Sequence, residues 1–282
     1  MSAETAEPQL RDVRGPSALG GGLRRMVDLV LLISITEFKR TYFGTALGYL
    51  WSIGRPLALF GVLLAVFTQV FRLGSDVADY PVLLLFNIVL FGFFQEATNI
   101  AVTSVVSQEG IVRKTQFPRI VIPLSVVLTA FFNLALNLVV VFAFILAYGI
   151  EPMWTWLATP VLLLGFFVLT TAVSMIVSSL YPRFRDMAII WSVFSTALFY
   201  ATPVLYPIEK APESLRNVLL LNPITSMLEL GRRWVIDPAA PRLTDLAGGR
   251  GLLVGAAAIY VLVCVAAAWV FNREAPRIAE QL

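Results

Sequence analysis

Two long apolar runs stand almost back to back near the middle of this chain, Val82–Val106 and Ile120–Tyr148. Only a short polar insert, Ser107–Arg119, parts them. Each run is long enough to cross a bilayer as a helix, which takes about 20 apolar residues. A water-soluble fold cannot hide two such helices in succession, so the insert is expected to be a tight connection at one membrane face. Its three basic residues, Arg113, Lys114 and Arg119, assign that face to the cytoplasm, because short loops rich in Lys and Arg are retained there.

Four further runs, Leu57–Phe71, Trp154–Leu180, Ala188–Val204 and Leu252–Phe271, bring the expected crossings to six. The first extends upstream through Gly48–Gly54, which puts Arg55 and Pro56 inside it or at a kink, since proline removes an intrahelical bond. Charge alternates between the connections. Arg183 and Arg185 follow the fourth run, whereas Glu151 and no base follows the third, and Arg72 is outweighed by Asp76 and Asp79 after the first. Both termini are therefore expected in the cytoplasm. Composition agrees with a multi-pass protein of the cytoplasmic (inner) membrane. The 282 residues are 58% hydrophobic and 14% charged with mean hydropathy +0.81, against about 25% charged in soluble domains. The net charge of +3 and pI near 9.2 imply no nucleic-acid partner. Bases beside membrane helices suit anionic lipid heads, so membrane lipids are the expected partners of most of them.

The expected fold class is an all-α membrane protein. Residues 1–22 read as a disordered cytoplasmic tail, 23–271 as the membrane domain and 272–282 as a second cytoplasmic tail. Within the domain, 23–44 reads as an interfacial helix. Met26, Leu29, Val30, Ile33 and Phe38 alternate there with Arg24, Arg25, Asp28, Glu37, Lys39 and Arg40, a mixture suited to the headgroup plane. Residues 205–250 form a long external segment. Its apolar pieces, Ser214–Leu221 and Ile224–Ile236, are too short to span and are broken by prolines, so re-entry into the outer half of the membrane is expected.

Several chemistries drop out. The chain has no histidine, which removes Ser-His-Asp and Cys-His catalysis and His-based metal sites. The single cysteine, Cys264, cannot form an intrachain disulfide. No phosphate-binding loop is present: Gly20–Arg25 lacks the lysine such a loop requires. If the chain pumps, the energy comes from a partner or an ion gradient. A membrane-embedded transferase would need paired acids or a metal cluster in a cytoplasmic loop, and only Asp186 and Glu109 are available, so no enzyme and no metal site is expected. Glu96 is the one acid deep within a run, and intramembrane acids face a cavity or a partner. Asn87, Phe91, Phe94 and Thr98 share one helical face at i, i+4, i+7 and i+11, with Gln95 at its edge. Aromatic rings and amides of this kind suit a sugar pathway, although helix packing explains the same pattern. Phe60, Phe67 and Phe71 repeat in the first run, and Trp191 and Phe194 in the fifth. The insert 108–118 is short and helix-compatible, and Ile111, Val112 and Phe117 could seat it in a partner's groove. A secondary transporter using Glu96 is the rival class, but no internal repeat of the kind such folds show is evident.

The order of the short motifs carries a resemblance. Glu37–Trp51 precedes the first crossing and Arg55-Pro56-Leu57 follows it; Lys114–Leu124 fills the second-to-third turn. Arg185-Asp186 opens the fifth helix, Thr202–Pro207 closes it, and Asn222-Pro223 lies beyond. From about Glu37 to the sixth helix, the chain resembles the ABC-2 permeases that export polysaccharides such as O-antigen, capsule and teichoic acid. The resemblance implies an ABC-2 exporter fold and a homodimer of six-helix subunits, joined from the cytoplasm by two copies of a separate nucleotide-binding ATPase. ATP and Mg would be bound by that partner and no cofactor by this chain. It further implies that the pieces after Pro203 are external gate helices. Phe60, Phe67, Phe71, Asn87, Phe91, Phe94, Gln95, Thr98, Trp191 and Phe194 would line a sugar channel. Glu109, Ile111, Val112, Arg113, Lys114 and Phe117 would form the coupling contact with the ATPase. Arg24, Arg25, Lys39, Arg40 and Arg55 would receive the pyrophosphate of a lipid-linked polysaccharide at a lateral lipid gate. Abundant Arg, Ala, Val and Gly with little Lys imply a GC-rich, actinobacterial type of genome, which favours cell-wall galactan over O-antigen or teichoic acid as cargo.

Overall fold

The computed structural model describes residues 22–42, 50–70, 79–108, 118–246 and 251–281, with the single residues 48, 77, 110 and 249 between them. Among these residues the chain is helical, with no strand. The helices are α1 (Gly22–Tyr42), α2 (Leu50–Ala65, continued by a π turn at Val66–Val70), α3 (Tyr80–Ser107) and α4 (Val121–Ala147). Then come α5 (Thr159–Leu180, reached through a 3-10 turn at Trp154–Ala158), α6 (Met187–Ala201), α7 (Glu213–Leu221), α8 (Pro223–Gly231, continued by a π turn at Arg232–Ile236) and α9 (Gly251–Gln281).

Five segments are long and apolar enough to cross a membrane: Leu50–Val70, Tyr80–Ser107, Val121–Ala147, Trp154–Leu180 and Gly251–Glu274. The remaining run gives only the 15 residues of α6. At 1.5 Å per residue, α6 is ~22 Å long against a hydrocarbon core of ~30 Å. Six full-length crossings were expected, and the fifth of them falls short. Pro203 is the physical reason: it disfavours helical backbone at the residue before it, and Thr202 is extended at φ −89°, ψ 142°.

α3 is the axis of the subunit. It is apolar nearly all round, which suits a helix enclosed by others. Helices α2, α4, α5 and α6 all pack on it. Tyr80, Val82, Phe86, Leu90, Phe91, Phe94, Ala97 and Ala101 are buried along its length. Rings join it to its neighbours: Phe93 meets Phe131 of α4 edge-on at 5.9 Å, and Phe91 meets Phe199 of α6 at 5.3 Å.

Pro56 does lie inside the first crossing. A proline lacks the N–H that would bond the carbonyl four residues earlier, here that of Ser52. Asn137 of α4 supplies a substitute, donating from Nδ2 to the Ser52 carbonyl at 3.3 Å. The same amide donates to the Asn133 carbonyl at 2.9 Å. A polar side chain on the neighbouring helix thus satisfies the backbone group that the proline leaves open, as an apolar surrounding demands.

α1 takes a more definite position than a helix floating in the headgroup plane. Ser34, fully buried, donates to the Ser125 carbonyl of α4 at 3.0 Å. Thr129 donates back to the Ser34 carbonyl at 3.4 Å, and Phe38 meets Phe132 edge-on at 5.7 Å. Both chains advance together in these contacts, so α1 climbs parallel to the first half of α4. Val27, Leu31 and Ile35 remain exposed beside the packed face, the apolar edge expected of a helix that also touches lipid.

The segment after α6 folds as two short helices, α7 and α8. Asn222 caps α8, its Oδ1 accepting from the Ile224 N–H at 3.0 Å, with Pro223 in the first turn. Its Nδ2 donates to Thr202 Oγ1 at 3.0 Å, tying the end of α6 to the start of α8. The Tyr80 hydroxyl donates to the Leu205 carbonyl at 2.8 Å, and Asn87 Nδ2 to that of Val204 at 3.3 Å. α8 reaches well inside the outer ends of its neighbours. A Cβ at Gly231 would stand 2.6 Å from the Phe86 ring, and one at Gly165 would stand 3.2 Å from Met227. Phe86 and Gly165 each lie six residues into their helices, a depth of ~9 Å.

Candidate polar face and outer latch

The expected channel residues separate once the helices are packed. Asn87, Phe91, Phe94 and Thr98 are buried within the subunit. Asn87 holds the Val204 carbonyl, Phe91 packs on Phe199, Phe94 meets Trp191 at 6.4 Å, and the Thr98 hydroxyl donates to the Phe94 carbonyl at 2.8 Å. Phe91 and Phe94 thus bind α3 to α6, and all four are buried within the subunit, as the helix-packing explanation of the stripe has it. Phe60 is buried against Phe144 of α4 at 5.7 Å. Phe67, Gln95 and Trp191 are half-buried, and Phe194 is 52% exposed. Phe71 lies outside the described residues, as do the expected coupling residues Glu109, Ile111, Val112, Arg113, Lys114 and Phe117.

The face of α3 that does stay open is one step further round. It carries Gly92, Gln95, Glu96, Asn99, Ile100 and Thr103, all half-buried or exposed. One flank of this strip is α4, where Asn133 Nδ2 donates to Glu96 Oε1 at 2.7 Å. The other flank is α6, where Asn99 and Ser195 exchange a hydrogen bond at 3.3 Å. Glu96 is crowded by protein atoms, yet its side chain still reaches the subunit surface. Arg55 of α2 acts on it as an attractive charge. Sequence periodicity missed Asn99, Thr103 and Asn133. The available signal was their polarity inside otherwise apolar runs.

The expected pyrophosphate cluster divides in two. Arg24 and Arg25 sit in the first turn of α1, and Lys39 and Arg40 in its last. Fifteen residues of helix between Arg24 and Lys39 amount to ~22 Å. Phe38 and Glu96 touch adjacent residues of α4, Phe132 and Asn133, which brings Lys39, Arg40 and Arg55 to one level of that helix. Arg40 is exposed and only loosely paired, with Glu37 at 3.8 Å, a contact worth little in water.

A second charged group was not foreseen. In the segment after α6, Arg232 Nη1 donates to both carboxylate oxygens of Glu209 at 2.9 Å and stands 3.5 Å from Glu229 Oε2. Glu229 Oε1 accepts from the Ile208 N–H at 3.1 Å. The trio ties the 3-10 turn at Ile208–Lys210 to the end of α8. Burial pushes the Glu229 carboxyl up to about 7, against the pull of Arg232 and with the added repulsion of Glu209. Elsewhere an apolar groove of about 220 Å³ between α5 and α9 contains Cys264, Phe167 and Met175. Among the described residues no cluster of metal-binding side chains occurs.

Residues 28–233 match the family described as ABC-2 type transporter. The chain is 31% identical over 204 residues to the O-antigen export system permease protein RfbA of Klebsiella pneumoniae, covering 72% of this chain and 78% of that protein. It is 29% identical over 256 residues to the protein of the same name from Myxococcus xanthus, covering 89% and 95%. It is 23% identical over 209 residues to the polysialic acid transport protein KpsM of Escherichia coli, covering 70% and 77%. With most of its length matched and its apolar helices in place, the chain is an integral membrane protein of the ABC-2 transporter family.

Proposed function

We propose that the chain is the membrane subunit of an ABC exporter that carries a lipid-pyrophosphate-linked polysaccharide across the cytoplasmic membrane. The observation that carries this reading is the match to O-antigen export permeases over most of both chains. Two copies form the conduit, each with six crossings and cytoplasmic termini, and α6 is the short fifth crossing. Two copies of a separate ATPase dock beneath the insert between α3 and α4, through Glu109, Ile111, Val112, Arg113, Lys114 and Phe117. α7 and α8 close the outer end as re-entrant gate helices, a role that fits the depth reached by Met227 and Gly231. The pyrophosphate head enters beside Lys39, Arg40 and Arg55, because guanidinium groups match phosphate geometry. Arg24 and Arg25 attract it earlier along α1. Galactan of the cell wall is the preferred cargo over O-antigen or teichoic acid. A proton-coupled mechanism through Glu96 is not favoured, since Asn133 already donates to that carboxylate and the relatives are export permeases.

The test is hydrolysis of ATP by the chain alone and with its ATPase in proteoliposomes. The chain alone should be inactive, and the complex should respond to polyprenyl-pyrophosphate-linked glycan. ATP turnover by the isolated chain, or a complex indifferent to every lipid-linked glycan supplied, would overturn the reading.

A further inference from the structure

We propose that the open strip of α3, built on Gln95, Glu96, Asn99 and Thr103, is the sugar-facing track of the subunit, and that its charge selects neutral glycans over polyanionic ones. The proposal rests on the export reading above and deepens it.

The strip is open where α3 is otherwise enclosed, and what it presents is polar. Positions 92, 95, 96, 99 and 103 recur at helical spacing along one line of the helix surface. Glu96 and Asn99 have only part of their hydrogen-bonding capacity met within the subunit, by Asn133 and Ser195, so lipid tails along this line would leave polar atoms unpaired. This line therefore meets water or a polar cargo. Both of its flanks are helices of the same subunit, fixed by the Asn133–Glu96 and Asn99–Ser195 hydrogen bonds, so the polar groups are held in place. Sugar hydroxyls both donate and accept. Amides, a hydroxyl and a carboxylate spaced along a helix can exchange bonds with them one after another as a chain slides.

Charge decides the class of glycan. In α2–α6 only Arg55 and Glu96 are charged. Their charges cancel, so these five helices offer no net positive charge to an anionic polymer. An ion carried out of water without a partner is penalised heavily, and Glu96 would repel each acidic residue that passed. A neutral hexose polymer meets neither cost. The chain should in this respect differ from its relative named for polysialic acid transport.

The experiment uses the complex with its ATPase in proteoliposomes and two probes. One is a polyprenyl-pyrophosphate-linked oligomer of neutral hexose. The other is the same carrier with an oligomer of sialic acid. The expected result is strong stimulation by the first and roughly five- to tenfold less by the second. Gln95→Ala with Asn99→Ala should cut the neutral response several-fold, on the order of the loss of one or two hydrogen bonds. Glu96→Gln keeps hydrogen-bonding capacity toward Asn133 while removing the charge. It should narrow the ratio between the two probes, by raising the response to the sialic acid oligomer relative to that of the neutral one. Equal or greater stimulation by the sialic acid oligomer overturns the selectivity and leaves the export reading standing. A neutral response untouched by the strip variants but abolished by Thr98→Val, with normal yield, moves the track elsewhere and overturns the assignment. No response to either carrier overturns the export reading, and this proposal with it.

Discussion

Arg232 is the residue on which the outer latch depends, and Glu229 is the residue that makes the latch sensitive to pH. The native state binds the Glu229 proton more tightly than an unfolded chain does, because burial lifts the carboxyl from its ordinary 4.5 to about 7. A group raised in this way contributes stability that is complete below its ordinary value and lost as pH rises through the native one. The melting temperature of the detergent-solubilised protein should therefore fall as pH rises from 4.5 to values above 7. In Glu229→Gln that slope should flatten, since an amide keeps the shape and does not ionise. A variant with the wild-type slope would mean that other groups govern the pH dependence. Arg232→Met should be the more damaging change, because it leaves two carboxylates facing each other without their cation.

The helices owe their arrangement to a few close approaches that bulk hydrophobicity does not specify. Gly231 lets α8 lie against Phe86 and Leu162, and a Cβ there would come within 2.6 and 3.0 Å of them. Gly231→Ala should cost about 1–3 kcal/mol through overpacking. Gly61→Ala on α2, where a Cβ meets nothing within 4 Å, should be neutral or slightly stabilising. Melting temperatures of the two variants separate packing from helix propensity. The proline break in α2 invites a double-mutant cycle. With Pro56 in place, Asn137→Ala removes the bond to the Ser52 carbonyl and should cost about 1 kcal/mol. In a Pro56→Ala background the helix can bond that carbonyl itself, so the same change should cost less. Additive effects would show that Asn137 does not replace the missing bond. At this scale the sequence was legible in part. The apolar runs around α3 and α4 and the two short pieces after Pro203 located the helices, because 20 residues of uniform composition leave little choice. The face of α3 that stays open was not legible. A helix apolar nearly all round has no preferred direction, and the aromatic stripe at Phe91 and Phe94 was the packed one. Only the placement of α4 and α6 leaves Glu96, Asn99 and Thr103 uncovered.

Across the whole molecule the open structural choice is whether α6 crosses the membrane. Its 15 residues reach ~22 Å, so a crossing requires the membrane to thin locally or flanking backbone to complete the path. Charge alone does not decide it: Arg183 and Arg185 lie before α6, but the segment after it holds Lys210, Arg216, Arg232, Arg233, Arg242 and Arg250 against Glu209, Glu213, Glu229, Asp237 and Asp245. Arg183 and Arg185 also stack on Phe184 and Tyr181, at 5.2 and 5.3 Å from the ring centroids. Bases lying on aromatic rings at the helix junction suit the headgroup layer of the cytoplasmic face. Removing the native thiol as Cys264→Ala allows single cysteines to report sidedness. Glu151→Cys and Lys210→Cys should react with a membrane-impermeant maleimide in intact cells, and Arg183→Cys only after the membrane is opened. Labelling of Lys210→Cys on the same side as Arg183→Cys would mean that α6 turns back without crossing. Five crossings would then put the end of α9 opposite the start of α2, and the proposed track would lose the wall that α6 supplies beside Asn99. The proposed transport route depends on that wall, so the position of Lys210 relative to Arg183 tests the fold and the route together.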